Sequence, residues 1–259
     1  MTRFKRTKSL CSKCPLNGRP KVLSRCDIDN PFIAILGEAP GADEEAGEVK
    51  LPSESDLEFR RKDKGPFIGT AGNMFKWACG QAGIMWHTVY KLNVINCRPP
   101  NNHIDCDEAQ EAIKCCRPGF EQELEHLRSL KVRVIIPAGG TALNALDLGT
   151  KISSCRGSVY VLDKMIAVPT YHPSYIVRGA IKEEPVWVAD LHKAYELSLK
   201  KYVAPKERFN IYPTIEEVEA FAKKHAAAKT PMACDIEHHG GFNPDWNKIT
   251  MIGFATSGE

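Results

Sequence analysis

Two short motifs in this chain combine residues that could do chemistry with positions that would expose them. The first is Gly37-Glu38-Ala39-Pro40-Gly41, which follows the apolar run from Phe32 to Leu36. The second is His172-Pro173-Ser174, which follows Ile166-Ala167-Val168 and would deliver an imidazole. Each apolar run predicts a strand, and α/β folds build their active sites at strand ends. We therefore expect both motifs to contribute to an active site.

Ten cysteines are the second chemical feature. Because the sequence shows no signal-peptide pattern, metal binding is a better interpretation than a disulfide framework. Cys11 and Cys14 form a C-x-x-C pair, so two thiolates from one tight turn can reach the same metal. Cys97 and Cys116 lie far away in sequence, and a site shared with them would clamp the N-terminal segment onto the domain. Four thiolates suit either zinc or an iron–sulfur cluster, and their spacing does not separate the two.

The elements that must position these residues alternate between strands and helices. Apolar positions in the longest predicted helix, which covers residues 107–130, recur at roughly helical spacing. The alternation predicts an α/β fold with three layers, α/β/α, around a mostly parallel central sheet. The predicted strands are 32–36, 90–95 and 132–137, with a hairpin at 157–162 and 165–168, and the predicted helices are 71–82, 107–130, 139–146 and 185–201.

The character of the chain changes after about residue 203. We expect a first domain at 1–203, and at 204–259 a fragment of a second α/β domain. Thr214 and Glu217 have the spacing of a capping box, which predicts a helix that runs to about Lys229.

Two further strands are predicted at 232–237 and 249–255. Asp235 and Glu237 lie two residues apart on the first, so their carboxylates would share one face and could hold a divalent cation. This Asp-x-Glu resembles the first motif of the 3'-5' proofreading exonucleases of phage-type family A DNA polymerases. No further acidic motif precedes Glu259, so we expect a truncated exonuclease-like domain without exonuclease activity. An extension with an incidental Asp-x-Glu is the alternative.

Length and composition set broad limits on the function. A chain of 259 residues allows one complete domain and part of a second. It lacks an apolar stretch of about 18 residues, so we expect an intracellular, cytoplasmic monomer with no membrane contact. The net charge of +3 is too small to indicate nucleic acid binding. Two basic runs, Arg3 to Lys8 and Arg60-Arg61-Lys62 with Lys64, could face phosphates or be solvated surface.

Five blocks of sequence resemble, in the same order, the uracil-DNA glycosylase superfamily and in particular its iron–sulfur group, family 4. The resemblance runs from about Cys11 to about Lys201. It implies a monofunctional DNA repair enzyme that flips uracil out of single- or double-stranded DNA and hydrolyses its N-glycosidic bond, leaving an abasic site. The blocks are Cys11-Ser12-Lys13-Cys14-Pro15-Leu16, Gly37-Glu38-Ala39-Pro40-Gly41-Ala42-Asp43-Glu44, Gly65-Pro66-Phe67-Ile68-Gly69-Thr70-Ala71-Gly72, Asn93-Val94-Ile95-Asn96-Cys97-Arg98-Pro99-Pro100 and His172-Pro173-Ser174-Tyr175-Ile176-Val177-Arg178.

The resemblance also favours a 4Fe-4S cluster over zinc. It implies Cys11, Cys14, Cys97 and Cys116 as the ligands. Cys115 is the rival for the last position, and on a helix it would point about 100° away from Cys116. The remaining cysteines have no partner at ligand spacing and are predicted to be small buried apolar residues. They are Cys26, Cys79, Cys106, Cys155 and Cys234.

Loss of uracil leaves an oxocarbenium-like sugar and a uracil anion, so stabilising the departing base matters more than a strong nucleophile. His172 is expected to donate a hydrogen bond to a uracil oxygen as that charge develops. Ala39 stands where the best-known group of the superfamily has an Asp. Glu38, which matches the family-4 pattern, is therefore expected to orient water or only to brace its loop.

Recognition of the flipped base is assigned by the resemblance to four residues. The side-chain amide of Asn93 offers both a donor and an acceptor, which match uracil but not cytosine. Phe67 would offer an aromatic face for stacking. Gly41 replaces the bulky residue that elsewhere excludes the thymine methyl group, and Glu44 could fill that space instead.

Contacts with the DNA backbone are expected from the amides of Gly37 to Gly41, and from Ser174 and Arg178. Tyr175 or Ile176 would wedge into the base stack where the nucleotide leaves.

Two departures from the family and two alternative functions stay open. The segment from Glu45 to Lys64 is longer and more charged than expected. Asn101-Asn102-His103 matches poorly the basic histidine loop that traps DNA covalently in a related subgroup, so we expect turnover.

One alternative function is a catalytically silent iron–sulfur or zinc module that positions a DNA polymerase, to which the chain could be fused. The other is a glycosylase with a broader range of damaged bases, which Ala39 makes possible.

Overall fold

The computed structural model divides the chain into two compact units, residues 1–202 and 203–259. In the part of the chain that it describes, no helix combines the length and apolar character that crossing a membrane requires. The described residues are 2–50, 60–62, 65–204, 210–229, 232–239 and 248–256.

The first unit alternates short strands and helices along the chain. Its strands are β1 (Thr2–Phe4), β2 (Ser24–Cys26), β3 (Ile33–Gly37), β4 (Glu48–Lys50), β5 (Arg60–Lys62), β6 (Tyr90–Asn93), β7 (Val134–Pro137), β8 (Tyr160–Leu162) and β9 (Met165–Ala167). Its helices are α1 (Ala42–Ala46), α2 (Thr70–Gln81), α3 (Asp107–Ser129), α4 (Gly140–Ala145), α5 (Ile152–Cys155), α6 (Pro173–Val177) and α7 (Glu184–Leu199).

Seven of these strands form one sheet in the order β1-β2-β6-β3-β7-β9-β8. The central strands β6, β3, β7 and β9 are parallel, and antiparallel strands flank them at both edges. Every residue of β3 and β7 is buried, as expected for parallel strands covered on both faces. The predicted α/β fold with a mostly parallel central sheet is confirmed.

Successive residues of β3 face opposite sides of the sheet. Ala34 and Leu36 belong to a core cluster that includes residues of α3 and α4. Ile33 and Ile35 belong to a second cluster that includes residues of α2 and α7. The sheet is therefore the middle of three layers. The carboxyl ends of its parallel strands lie at the same edge of the sheet.

The predicted elements agree with the structure to within about two residues, except that β8 begins later than expected. Short elements were missed. The sequence predicts only a charged loop before Gly65, but the described part of that segment contains α1 and the antiparallel pair of β4 and β5. The first turn of α1 holds Asp43, Glu44 and Glu45, where exposed N–H groups favour negative charge. The short strands β1 and β2 and the short helices α5 and α6 are likewise not predicted from the sequence.

The second unit contains α8 (Ile215–Ala228), β10 (Met232–His239) and β11 (Lys248–Thr256). The capping box is confirmed, because Glu217 N–H donates to Thr214 Oγ1 at 3.3 Å and Thr214 N–H donates to Glu217 Oε2 at 2.8 Å. β10 and β11 pair in antiparallel fashion, with Asp235 opposite Gly253 and Glu237 opposite Met251.

Candidate active site

A cavity of about 730 Å³, here called the strand-end cavity, lies where β3, β6, β7 and β9 end. Both sequence motifs reach it, together with the segment around Phe67. Nearly all the predicted catalytic and substrate-binding residues line this cavity. They are Glu38, Ala39, Gly41, Glu44, Phe67, Asn93, His172, Ser174 and Arg178.

Gly37, the remaining predicted residue, ends β3 and provides space for two of the others. A Cβ at this position would lie 2.3 Å from Asn93 Oδ1 and 2.7 Å from Phe67 Cζ. Any side chain would therefore displace the amide and the ring, so glycine is required here for steric reasons. The close approach of the segments that carry Gly37, Asn93 and Phe67 therefore shapes this part of the cavity.

Phe67 is buried and has a positive φ of 61°, which is uncommon for a residue other than glycine. Its ring packs edge-on against Phe75 and Trp86, with centroid separations of 5.4 and 6.2 Å. A Cβ at Gly72 would lie 2.1 Å from the Phe67 carbonyl, so this glycine lets α2 approach the backbone closely. The surrounding packing holds Phe67 in an unfavourable backbone conformation, a feature that clusters at functional sites.

Asn93 is the last residue of β6 and is only 3% exposed. Among the described residues, its side-chain Nδ2 has no hydrogen-bond partner. A buried donor without a partner costs on the order of 1–3 kcal/mol, so such a group is usually satisfied by something else. Because Asn93 lines the strand-end cavity, a ligand there can supply the missing acceptor.

His172 is the N-cap of α6, and its Nδ1 accepts a hydrogen bond from Ser174 N–H at 3.2 Å. The neutral ring therefore carries its hydrogen on Nε2. Burial, followed by the positive charge of Arg178, lowers the pKa of His172 to about 4. Gly139 has a φ of 93°, and a Cβ there would lie 3.0 Å from His172 Cβ. His172 is thus a neutral hydrogen-bond donor at neutral pH.

Glu38, in the first motif, and Glu44, in α1, have different surroundings. Burial raises the pKa of Glu38, while a hydrogen bond from Thr141 Oγ1 to Glu38 Oε2, 3.1 Å long, lowers it. Glu44 accepts hydrogen bonds from the backbone N–H groups of Gly41 and Phe67, and so joins two walls of the cavity. Burial raises the pKa of Glu44 despite these donors. Glu38 is therefore the carboxylate with fewer partners.

Glu44 also occupies the space beside Gly41. Its Oε2 lies 3.1 Å from the position that a Cβ of Gly41 would take. A carboxylate thus stands where a larger residue at position 41 would place its side chain.

The two residues predicted to wedge into the base stack differ in their exposure to solvent. Tyr175 is 45% exposed at the cavity wall, whereas Ile176 is 1% exposed and packs in the core. Ile176 is therefore wrong as a wedge, because successive residues of α6 point to different sides. In the basic run from Arg3 to Lys8, Arg6 is buried and cannot face phosphates, whereas Arg3, Lys5 and Lys8 are exposed. The side chains of the run 60–64 lie outside the described residues.

Five cysteines meet in a second cavity of about 210 Å³, here called the cysteine cavity: Cys11, Cys14, Cys97, Cys115 and Cys116. Lys21 Nζ donates to Cys11 Sγ at 3.2 Å. Burial raises the pKa of Cys97 to about 11 and raises that of Cys116. In the described part of the chain, no group of three or more Cys, His, Asp or Glu side chains is arranged to hold a metal ion. The structure brings both Cys115 and Cys116 to this cavity.

The other cysteines divide into two groups. Cys26 and Cys79 are buried, as predicted. Cys106 and Cys155 are only half-buried, and Cys234 is exposed, so the prediction is wrong for these three. The first two lie at helix ends, where one side of the residue faces solvent.

Three neighbours of these sites make contacts that the sequence analysis does not predict. Thr141 contacts Glu38, Lys21 contacts Cys11, and Arg6 contacts the backbone of Asn93. Thr141 and Arg6 act across 103 and 87 residues of sequence, so no local spacing could have indicated them, whereas Lys21 lies 10 residues from Cys11.

The family described as the uracil DNA glycosylase superfamily matches residues 23–193. A type-4 uracil-DNA glycosylase of Thermotoga maritima is 31% identical over 190 residues, which cover 71% of this chain and 87% of that protein. The type-4 uracil-DNA glycosylase of Archaeoglobus fulgidus is 31% identical over 202 residues, covering 74% and 89%. A DNA polymerase of Bacillus phage SP01 is 25% identical over 138 residues, which cover 52% of this chain but 14% of the polymerase.

Proposed function

The chain belongs to the uracil-DNA glycosylase superfamily, and we propose from its strand-end cavity that it is a uracil-DNA glycosylase of DNA repair. The reaction hydrolyses the N-glycosidic bond of uracil and leaves an abasic site. One observation carries the proposal. The unpartnered amide of Asn93 and the neutral imidazole of His172 line the same cavity, where a flipped base would meet both.

Asn93 reads the edge of the base. Its Nδ2 donates to a uracil carbonyl oxygen, and its Oδ1 accepts from the uracil imino group. Cytosine presents the reverse pattern, a donor where uracil has a carbonyl and an acceptor where uracil has N–H. The buried amide would then have no matching partners, which is the arrangement that gives strong discrimination. The aromatic ring of Phe67 stacks on the base and so holds it in place for this pairing.

His172 stabilises the departing base. Its Nε2–H donates to a uracil oxygen as the bonding electron pair moves onto the base. The low pKa keeps the ring neutral, and Ser174 N–H holds its orientation, so the donor is in place before the bond breaks. Removal of one such donor typically costs about 10²- to 10³-fold in rate.

Glu38 directs the attacking water. The water oxygen bonds to C1′ of the sugar, its proton passes to Glu38, and uracil leaves with the electrons of the broken bond. Burial raises the pKa of this carboxyl, which makes its ionised form a better base. The Thr141 hydroxyl fixes one carboxylate oxygen and leaves the other for the water.

Exclusion of thymine is assigned to Glu44. Its carboxylate fills the space beside Gly41, and the two backbone N–H donors hold it there. A methyl group on the base would have to displace this braced side chain.

The surface around the cavity binds the DNA backbone. Ser174 and Arg178 contact phosphates, together with the amides of the first motif, and Tyr175 wedges into the base stack. The range of bases beyond uracil stays a prediction, as do the intracellular location and the monomeric state.

A 4Fe-4S cluster is the cofactor we propose for the cysteine cavity, held by Cys11, Cys14, Cys97 and Cys116. The cavity of about 210 Å³ has several times the ~30 Å³ of a liquid water molecule, so it can seat a group of several atoms. Thiolates are the ligands that iron–sulfur clusters use. When bound, the cluster supplies a cross-link between the N-terminal segment and the domain.

Residues 204–259 are proposed to resemble part of a 3'-5' exonuclease domain. The antiparallel pairing of β10, which carries Asp235 and Glu237, with β11 supports this proposal. Two carboxylates are too few for a two-metal site, so we expect no exonuclease activity from them alone.

The test is release of free uracil from a labelled oligonucleotide, in single- and double-stranded forms and without added metal. We expect release by the wild-type protein and a loss of about 10²- to 10³-fold in His172→Ala. His126→Ala is the matched control, because His126 is also half-buried but stacks on Phe4, with ring centroids 4.6 Å apart.

Three outcomes separate the alternatives. DNA binding by folded wild-type protein without base release would support the silent module. Release of hypoxanthine or of mismatched thymine at rates near that of uracil would support the broader range. A rate for His172→Ala within a few-fold of wild type would overturn the role of His172.

A further inference from the structure

Arg6 lies in the N-terminal segment, yet its side chain is 2% exposed. Its Nε donates to Glu123 Oε2 at 2.7 Å, and the Glu123 side chain is fully buried. Tyr90 OH donates to the other carboxylate oxygen at 2.8 Å. The guanidinium also lies over the Phe120 ring, 5.3 Å from its centroid. A buried cation with this set of partners is fixed in direction as well as in position.

The other two guanidinium nitrogens reach the end of β6. Nη2 donates to the Asn93 carbonyl at 2.5 Å, and Nη1 donates to the Val94 carbonyl at 2.7 Å. The N–H groups just beyond are held from the opposite side, because Val94 N–H donates to Gly37 O and Ile95 N–H to Glu38 O. The backbone that carries the Asn93 side chain is thus held between Arg6 and the first motif.

A glycine on α3 makes room for this arrangement. A Cβ at Gly119 would lie 2.0 Å from Ser9 Oγ and 2.9 Å from Arg6 Cβ. The N-terminal segment can therefore lie directly on the helix and insert Arg6 behind β6.

We infer that Arg6 is a positioning residue for the base-reading amide: it fixes the carbonyls of residues 93 and 94 and thereby aims the Asn93 side chain into the strand-end cavity. This inference rests on the proposed role of Asn93. Arginine is required because its planar fork reaches three acceptors at once, whereas a lysine ammonium is a single point charge. The segment that ends at Cys11 and Cys14 is thus connected to substrate recognition through one side chain.

The experiment is a double-mutant cycle between positions 6 and 93. Single-turnover release of uracil is measured for the wild type, Arg6→Lys, Asn93→Ala and the double variant, with thermal unfolding followed in parallel. We expect Asn93→Ala to lose about 10- to 100-fold and Arg6→Lys about 10-fold. In the Asn93→Ala background, Arg6→Lys should change the rate by less than about twofold, because the group that it positions is gone.

Arg133→Lys is the matched control. Arg133 also joins two segments, through stacking on Phe32 at 4.3 Å and a 2.9 Å hydrogen bond to Ser198 O, but it lies at the opposite end of the strands. This variant should release uracil at close to the wild-type rate in both backgrounds.

Loss of the same factor in both backgrounds would overturn the inference, since Arg6 would then serve only the stability of the fold. A wild-type rate for Asn93→Ala would instead remove the proposed role of Asn93 itself. If Arg6→Lys does not fold, Tyr90→Phe carries the test, because it removes only one hydrogen bond to Glu123. A loss of about two- to threefold that disappears in the Asn93→Ala background is expected, and an equal loss in both backgrounds contradicts the inference.

Discussion

The strand-end cavity and the cysteine cavity belong to the same unit but are formed by different kinds of segment. The first is built mainly from the ends of parallel strands and the segments that follow them, which the fold brings to one edge, together with the segment around Phe67. The second joins Cys11 and Cys14, from a segment with little regular structure, to Cys97 and to a pair on α3. The strands therefore position the residues of the strand-end cavity, whereas the cysteine cavity depends on contacts of the N-terminal segment, such as the 2.8 Å hydrogen bond from Leu10 N–H to Cys115 O.

The largest effect on stability is expected from a substitution in the cysteine cavity. Cys14→Ala should abolish iron binding and lower the midpoint of thermal unfolding by on the order of 10 °C, because a cross-link to the N-terminal segment is lost. Cys115→Ala is the matched control in the same cavity and should retain iron. Iron content, sulfide content and the visible absorption of the purified proteins measure both. Iron loss in Cys115→Ala instead would reassign the fourth ligand, and iron retained in Cys14→Ala would contradict the proposed set.

The same contrast explains what could be predicted from the sequence. The buried strands β3 and β7 are apolar runs, and strand ends mark the site, so the motif that contains His172 was found because it follows a predicted strand. Asn93, in contrast, was assigned by the family resemblance. Arg6 was read as part of a basic surface run, because nothing near it in sequence indicates Glu123 as its partner. The strands β1 and β2 are three residues each and acquire their form only by pairing.

A smaller effect should distinguish Glu38 as a base from Glu38 as a brace. The Thr141 hydroxyl and Arg178 lower the pKa of Glu38, while burial and Asp105 raise it. Thr141→Val removes a hydrogen bond to the ionised form, so the pKa rises further. If ionised Glu38 is required, the rate falls with decreasing pH from a higher pH than in the wild type. We expect a loss of about 3- to 10-fold at the acid end of the profile and less than about twofold above pH 8.

Thr150→Val is the control for that profile, because Thr150 lies in an adjoining pocket with Thr141 and Glu38 but is exposed. Its pH–rate profile should match that of the wild type. A uniform loss across all pH values in Thr141→Val would mean that Glu38 braces the loop and does not activate water.

The smallest effect on the rate of uracil release is expected at the rim of the strand-end cavity, where the proposed DNA contacts lie. Tyr175 is 45% exposed and packs against Tyr171 with the rings tilted by 39° and their centroids 5.0 Å apart. A wedge helps only when a base must leave a stacked duplex, so Tyr175→Ala should slow release from double-stranded DNA by about 3- to 10-fold and from single strands much less. Val177→Ala, on the same helix and 46% exposed, is the control and should affect neither substrate. Equal losses on both substrates would place Tyr175 in the binding of the flipped nucleotide, since an unpaired strand has no stack to open.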